Sequence, residues 1–266
     1  ISTDYINVLD PSSWKSKLKS NTKVIYVETI TNPLLEVGAL DEVAKFAKEH
    51  GLISMIDNTL ASPALFCPIP LGFDISVHSA TKYLNGHTDI VAGAIIGNEP
   101  HMTEVNSKLI HLGGCLDPNA CFLLNRGMKT LSLRMKKQCS NAMQVAELLN
   151  DHPKVRDVNY PGLSSSDSHD RAKKLLCGYG GMVSFVLEGG EKVADEFMGR
   201  LKIPMCTASL GGVESLVTRP VQTSHSLLSD EELLIAGIDK SLIRYSVGIE
   251  SGDDLVADLK QALDKS

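Results

Sequence analysis

What this chain lacks excludes several kinds of function. Its six cysteines, at 67, 115, 121, 139, 177 and 206, include no Cys-x-x-Cys pair and no regular spacing. Neither a zinc site nor a disulfide framework is indicated. Asn-x-Ser/Thr acceptors, a secretory leader and an apolar run long enough to span a bilayer are all missing. With reduced thiols as the default, the expectation is a soluble, cytoplasmic protein without a membrane partner. Lys and Arg are nowhere concentrated and the formal net charge is −6, so a nucleic-acid footprint is not expected. No Gly-x-Gly-x-x-Gly follows the first strand, which speaks against a nicotinamide oxidoreductase. An initiating methionine is missing too, and the residues after Ile1 read as the middle of a domain. The complete protein is therefore expected to extend further toward the N-terminus, which leaves organelle targeting open.

What is present is ordinary globular material. The 266 residues, 43% apolar and 22% charged, suffice for one large domain or two modest ones. Short β-type runs alternate with helical patterns in the first half, the mark of a mostly parallel sheet with flanking helices. Val24–Glu28 reads as a buried central strand. Leu40–Lys48 carries a helical period, with Gly51 as its C-cap. Leu52–Ile56 is a second strand ending at Asp57, Ile75–His78 a third and Ile90–Ile96 a fourth. Helical signals then run from Pro118 to Leu149, interrupted by Gly127, as one long connecting helix or a kinked pair. From Val155 onward the alternation is that of a smaller α+β unit. The division is placed at residues 1–133 and 134–266. Ligands bind past the carboxyl ends of such parallel strands, which puts Asp57 and Asn58 at a site edge.

The most informative stretch is Ser79-Ala80-Thr81-Lys82, preceded by Asp57-Asn58-Thr59 and followed by Asn85-Gly86-His87. Lysines are ordinarily solvated surface residues. Here Lys82 keeps company with hydroxyls and a carboxylate, all between Asp57 and Lys82. Those are the groups that pyridoxal phosphate requires: an amine for a Schiff base, an anion for the pyridine nitrogen and donors for the phosphate. An extended segment would turn Ser79 and Thr81 toward one ligand. Arg244, flanked by Ile243 and Tyr245 in a strand-like run, is costly to bury without an anionic partner.

Further segments fall in a recognisable order: Val27-Glu28-Thr29 with Thr31-Asn32-Pro33, Leu71-Gly72-Phe73-Asp74, Arg126 to Leu131, Tyr160-Pro161-Gly162, Ser209-Leu210-Gly211-Gly212 and Arg244 to Glu250. Together they resemble the C-terminal two-thirds of the cystathionine and methionine metabolism enzymes, fold-type-I pyridoxal-phosphate proteins that include cystathionine γ-lyase, γ-synthase and β-lyase. The resemblance implies an α/β fold of the pyridoxal-phosphate transferase type with a smaller C-terminal α+β domain. It makes Lys82 the Schiff-base lysine, Asp57 the partner of the ring nitrogen and Ser79 and Thr81 donors to the phosphate. Asn32 becomes a contact near the ring hydroxyl and substrate. Arg244 becomes the clamp on the substrate α-carboxylate, and Ser209 a substrate contact. It further implies an amino-acid substrate and a homodimer or homotetramer, and it involves no metal.

Departures from the family pattern matter as well. Three N-terminal elements of the family are missing: a Tyr-x-Arg segment, a Gly-Met turn and a ring-stacking tyrosine. Ala208 stands where several relatives carry glutamate. His78 and His87 read more readily as structural histidines than as site residues, and His225 matches a family position without an assigned role. The expected activity is cleavage at the γ-carbon of a sulfur amino acid by a cystathionine γ-lyase. A γ-synthase or other O-acylhomoserine-utilising enzyme is the alternative. A truncated, non-catalytic relative acting through its dimer surface is the alternative of another class.

Overall fold

A computed structural model describes residues 1–265. After a short helical turn α1 (Pro11–Trp14), strands β1 (Val24–Glu28), β2 (Ile53–Asp57), β3 (Ile75–Ser79) and β4 (Gly93–Gly97) form one sheet in the order β1-β2-β3-β4. The first three strands are parallel and β4 is antiparallel. Helix α2 (Leu40–His50) makes the crossover from β1 to β2. It forms because Leu40, Val43, Ala44 and Ala47 recur on one buried face. Burying a Leu or Val side chain there contributes about 1.5–3 kcal/mol. Gly51 ends the helix in the left-handed region, with φ 63°, where a Cβ would be strained. Two short helices, α3 (Ser62–Leu65) and α4 (Pro68–Leu71), lead into β3.

Among the described residues β1 pairs with β2 alone. Val24 and Tyr26 are exposed on one face while Ile25 and Val27 are buried on the other. Its Val-Ile-Tyr-Val run gives no alternation to the eye because Tyr and Val suit a half-exposed pleat as well as a core. The fourth strand begins at Gly93 rather than at Ile90.

Helices α5 (His101–Leu112), α6 (Pro118–Met128) and α7 (Leu131–Asn150) follow. α5 buries none of its residues, so its sequence shows no periodic contrast to mark it as a helix. Asp117 caps α6 by accepting from the amides of Asn119 and Ala120. Gly127 does not interrupt the helical run; it lies inside α6, and the break falls at Lys129–Thr130. A Cβ on Gly127 would stand 2.3 Å from the carbonyl oxygen of Asn85. The glycine thus permits a close approach of two backbones.

The second sheet has the order β5-β6-β9-β8-β7. Its strands are β5 (Val155–Asn159), β6 (Met182–Leu187), β7 (Met205–Cys206), β8 (Leu216–Thr218) and β9 (Ile243–Ser246), with helices α8 (His169–Leu175), α9 (Gly190–Met198), α10 (Asp230–Ile235) and α11 (Gly252–Lys265) around it. Every residue of β6 and β9 is buried. α7 joins both cores: Leu131 and Met135 pack with the first sheet's core, and Ala142, Val145, Ala146 and Leu149 with the second's. The loop after β1 also reaches the second sheet, where Ser184 Oγ donates to the carbonyl of Pro33 at 2.7 Å. Among the described residues no helix is long and apolar enough to cross a membrane, and no cluster of metal-ligating side chains occurs.

Candidate active site

The site assembles at the carboxyl ends of the parallel strands, the ligand-binding edge of such sheets. Glu28 and Asp57 end β1 and β2 in register with each other. Ser79 ends β3, and Lys82 lies in the turn that follows, its amide donating to the carbonyl of Ser79 at 3.1 Å. The segment from Ser79 to Lys82 is therefore not extended past Ser79, and the hydroxyls do not alternate along a strand. Asn32 comes from the loop after β1, Ser209 from the loop before β8, and Arg244 from β9.

A cavity of about 470 Å3 is lined by Asn32, Lys82, Ala208, Ser209, Leu210, Thr223, Ser224 and Arg244. Lys82 Nζ donates to Ser209 Oγ at 2.7 Å. Burial, and secondarily the positive charge of Arg244, push the Lys82 amine below its ordinary pKa. Arg244 is 3% exposed. It donates to Asn32 Oδ1 and to the carbonyl of Ser209, each at 3.0 Å. Both partners are neutral oxygens, and no carboxylate pairs with this cation among the described residues. A guanidinium so placed has the geometry to hold an anion. Ser209 has φ 90°, a conformation that costs a residue with a Cβ about 1–3 kcal/mol. It aims the Ser209 carbonyl at Arg244 and its hydroxyl at Lys82.

Asp57 and Ser79 sit at strand ends and Thr81 in the turn past β3, none of them lining that cavity. Asp57 Oδ1 accepts from the amide of Thr59 at 2.9 Å and Oδ2 from Tyr26 Oη at 3.3 Å. Burial, with the carboxylate of Asp57 adding to it, pushes the Tyr26 phenol up to about 12. The amide of Ser79 donates to Thr59 Oγ1 at 2.8 Å, tying the two strand ends together, and the Ser79 hydroxyl has no hydrogen bond among the described residues. Thr81 differs. Its Oγ1 donates to the carbonyl of Ala92 at 3.2 Å and accepts from the amide of Ala92 at 2.9 Å, so its one proton is committed to backbone. His78 is buried against Ser76 Oγ at 3.2 Å, and His87 Nδ1 lies 2.7 Å from the carbonyl of Asn85. Both contacts are those of structural histidines. His225 Nδ1 lies 2.9 Å from Ser224 Oγ beside the cavity. Sequence reasoning missed Thr223 and Ser224 as cavity walls; their only signal was the neighbouring His225.

These residues fit pyridoxal phosphate. A partly desolvated lysine amine and a buried arginine without a carboxylate partner meet at a cavity of suitable size, and the Ser79 hydroxyl at the end of β3 is uncommitted among the described residues. Residues 1–264 match the model of the family described as Cys/Met metabolism PLP-dependent enzyme. The chain belongs to that family. It is 39% identical over 269 residues to an L-methionine gamma-lyase of Treponema denticola, a match covering 100% of this chain and 67% of the relative. It is 42% identical over 270 residues to a cystathionine gamma-lyase of Bacillus subtilis, covering 99% and 70%. The solved cystathionine gamma-lyase of Lactobacillus plantarum complexed with L-serine superposes with a TM-score of 0.94 at 37% identity, covering 98% of this chain and 68% of that one. Family members are pyridoxal-phosphate enzymes of sulfur amino-acid metabolism, and this chain spans about two-thirds of the length of the relatives it matches. The fold-type-I expectation holds.

Proposed function

We propose that the protein cleaves the bond between Cγ and sulfur in a sulfur amino acid, as a cystathionine γ-lyase that yields cysteine, 2-oxobutanoate and ammonia. The observation that supports this reading is Arg244, buried without an anionic partner beside the Lys82 amine. Its planar fork suits the two oxygens of an α-carboxylate.

In this reading Lys82 holds pyridoxal phosphate, Asp57 faces the ring nitrogen, Ser79 and Thr81 serve the phosphate, and Asn32 contacts the ring side. Thr81 would have to exchange its bond to Ala92 for one to phosphate. The bound cofactor supplies an electron sink for charge developing at the substrate's Cα. Everything else falls to the chain. Arg244 binds the carboxylate, steadied by Asn32 Oδ1. Lys82, its charged form disfavoured by burial and by Arg244, takes the Cα proton when its amine is free and delivers it onward. Ser209 Oγ orients that amine. Residues 1–133 thus provide the cofactor side and residues 134–266 the carboxylate clamp, with a homodimer or homotetramer as the assembly.

Ala208 and Leu210 favour a second reading. They give the cavity an apolar wall suited to a short neutral thioether such as methionine rather than to a side chain ending in a second ammonium group. The test is turnover by the full-length, cofactor-loaded protein of L-cystathionine, of L-methionine, and of an O-acylhomoserine with cysteine. Release of 2-oxobutanoate from cystathionine supports the first reading and release from methionine alone the second. Cystathionine formation would show a synthase. Failure to bind the cofactor at all would refute catalysis.

A further inference from the structure

Helix α7 carries three polar side chains on its buried face, Arg134, Gln138 and Asn141. They stand at i, i+4 and i+7, a spacing that stacks them along one stripe. Each one donates to backbone carbonyls of a different segment of the site. Arg134 donates from Nη1 to Tyr83 O at 2.8 Å and from Nη2 to Leu84 O at 3.3 Å, in the turn carrying Lys82. It also reaches Gly127 O at 2.9 Å and Thr130 Oγ1 at 3.1 Å. Gln138 Nε2 donates to Gly212 O at 2.7 Å, three residues past Ser209. Asn141 Nδ2 donates to Gly248 O at 3.0 Å and to Glu250 O at 2.9 Å, just past the strand that carries Arg244.

The three segments are also laced to one another. Val213 N donates to Gly86 O at 2.9 Å, and Ile249 N donates to Val213 O at 2.9 Å. At Gly211, with φ 79°, a Cβ would stand 2.9 Å from the amide nitrogen of Tyr83. Gln138 Oε1 and Asn141 Oδ1 are buried and unpartnered. The contacts that fix each amide among the described residues are those of its donor.

We propose that Arg134, Gln138 and Asn141 are positioning residues for the reaction, a polar ladder on one rigid helix that sets the mutual placement of Lys82, Ser209 and Arg244. The proposal rests on the site reading above. A helix changes length and bend little, so three loops pinned to it keep their relative positions to a fraction of an ångström. The ladder explains why this face of α7 is polar in an otherwise apolar core.

The test compares Arg134→Met, Gln138→Met and Asn141→Leu in the full-length protein. Amide hydrogen exchange is followed segment by segment, and reductive methylation of Lys82 is followed against pH with the cofactor removed. Exchange should quicken about tenfold, the loss of one or two hydrogen bonds, and chiefly in the segments each residue holds: 82–86 and the α6–α7 junction at 127–130 for Arg134, 210–213 for Gln138 and 247–250 for Asn141. In Arg134→Met the midpoint for Lys82 methylation should also rise toward that of a free lysine, because a loosened turn admits water. Asp258→Asn serves as a stability control: its buried carboxylate accepts from the amides of Lys202 and Ile203, away from the site. Uniform exchange in all variants, or a lower melting temperature with the three segments and the Lys82 midpoint unchanged, would overturn the ladder. Neither readout depends on which substrate is turned over, so a wrong reaction assignment fails separately.

Discussion

Replacing Gly127 by alanine sets two effects of known sign against each other. Within a helix the change ordinarily stabilises by about 1 kcal/mol, since alanine has less backbone entropy to lose. At this position the new methyl would stand 2.3 Å from Asn85 O and 3.0 Å from Asn85 C. The carbonyl cannot retreat freely. Asn85 N donates to Ala80 O at 3.0 Å, Asn85 Nδ2 to Asp89 Oδ1 at 2.7 Å, and the adjoining Leu84 carbonyl is held by Arg134. Opening the contact by about 1 Å against close-packed backbone belongs with overpacking, which costs about 1–3 kcal/mol. The clash offsets or outweighs the propensity, for a net loss of up to about 2 kcal/mol.

Urea denaturation of the full-length protein measures this as a lower midpoint at unchanged slope. Gly199→Ala is the matched control, since Gly199 already has φ −67° and the nearest atoms to a new Cβ lie at 3.5 and 3.6 Å. It should be neutral or stabilising by about 0.5 kcal/mol. Because the displaced backbone leads back to Lys82, Gly127→Ala should also slow uptake of pyridoxal phosphate. A gain in stability from Gly127→Ala equal to the full helical propensity would refute the close approach of α6 to the lysine turn.

Other expectations follow from single contacts. Removing the Arg244 charge as Arg244→Gln should raise the pH midpoint for Lys82 methylation, since a neighbouring cation disfavours a second one; a midpoint unmoved or lowered would contradict their proximity. Arg219 is 2% exposed, bidentate to Asp195 at 2.9 Å, bonded to Glu191 and donating to Lys240 O. Both carboxylates are half-exposed and regain water when it is lost. Arg219→Leu should therefore cost about 2 kcal/mol, below the figure for a fully buried pair, as read from urea midpoints. Burial alone would raise the Asp239 carboxyl, but hydrogen bonds from Arg156 and Ser241 outweigh it and bring it down to about 2. Its contribution to stability is complete above the ordinary carboxylate range and fades as pH falls toward 2. The stability gap between the native protein and Asp239→Asn should accordingly close on acidification, and a gap that widens would refute the pairing.

Much of the fold is legible because its causes are local. The apolar stripe of α2 and its Gly51 cap lie within twelve residues, and the structure reproduces both. α10 escaped notice although Ser229 and Glu232 form a capping box, because six residues are too few to establish a period. The half-exposure of β1 is not legible because a Val-rich run reads alike on a half-exposed pleat and in a core. Gly127 misled because its constraint comes from Asn85, 42 residues earlier, and not from its own helix. Lys82, Ser209, Asn32 and Arg244 were all singled out from motifs, yet nothing in those motifs reveals that Thr81 spends its proton on Ala92.

By itself the sequence determined the kinds of groups available and the segments that carry them, since strand and helix periods and the order of the motifs are properties of neighbouring residues. The tertiary structure alone decided which groups have partners. Arg244 is bonded to Asn32, 212 positions away, and Lys82 to Ser209, 127 positions away. Whether a buried charge is met by a carboxylate or left for a ligand depends on contacts across such separations, and no local pattern encodes them.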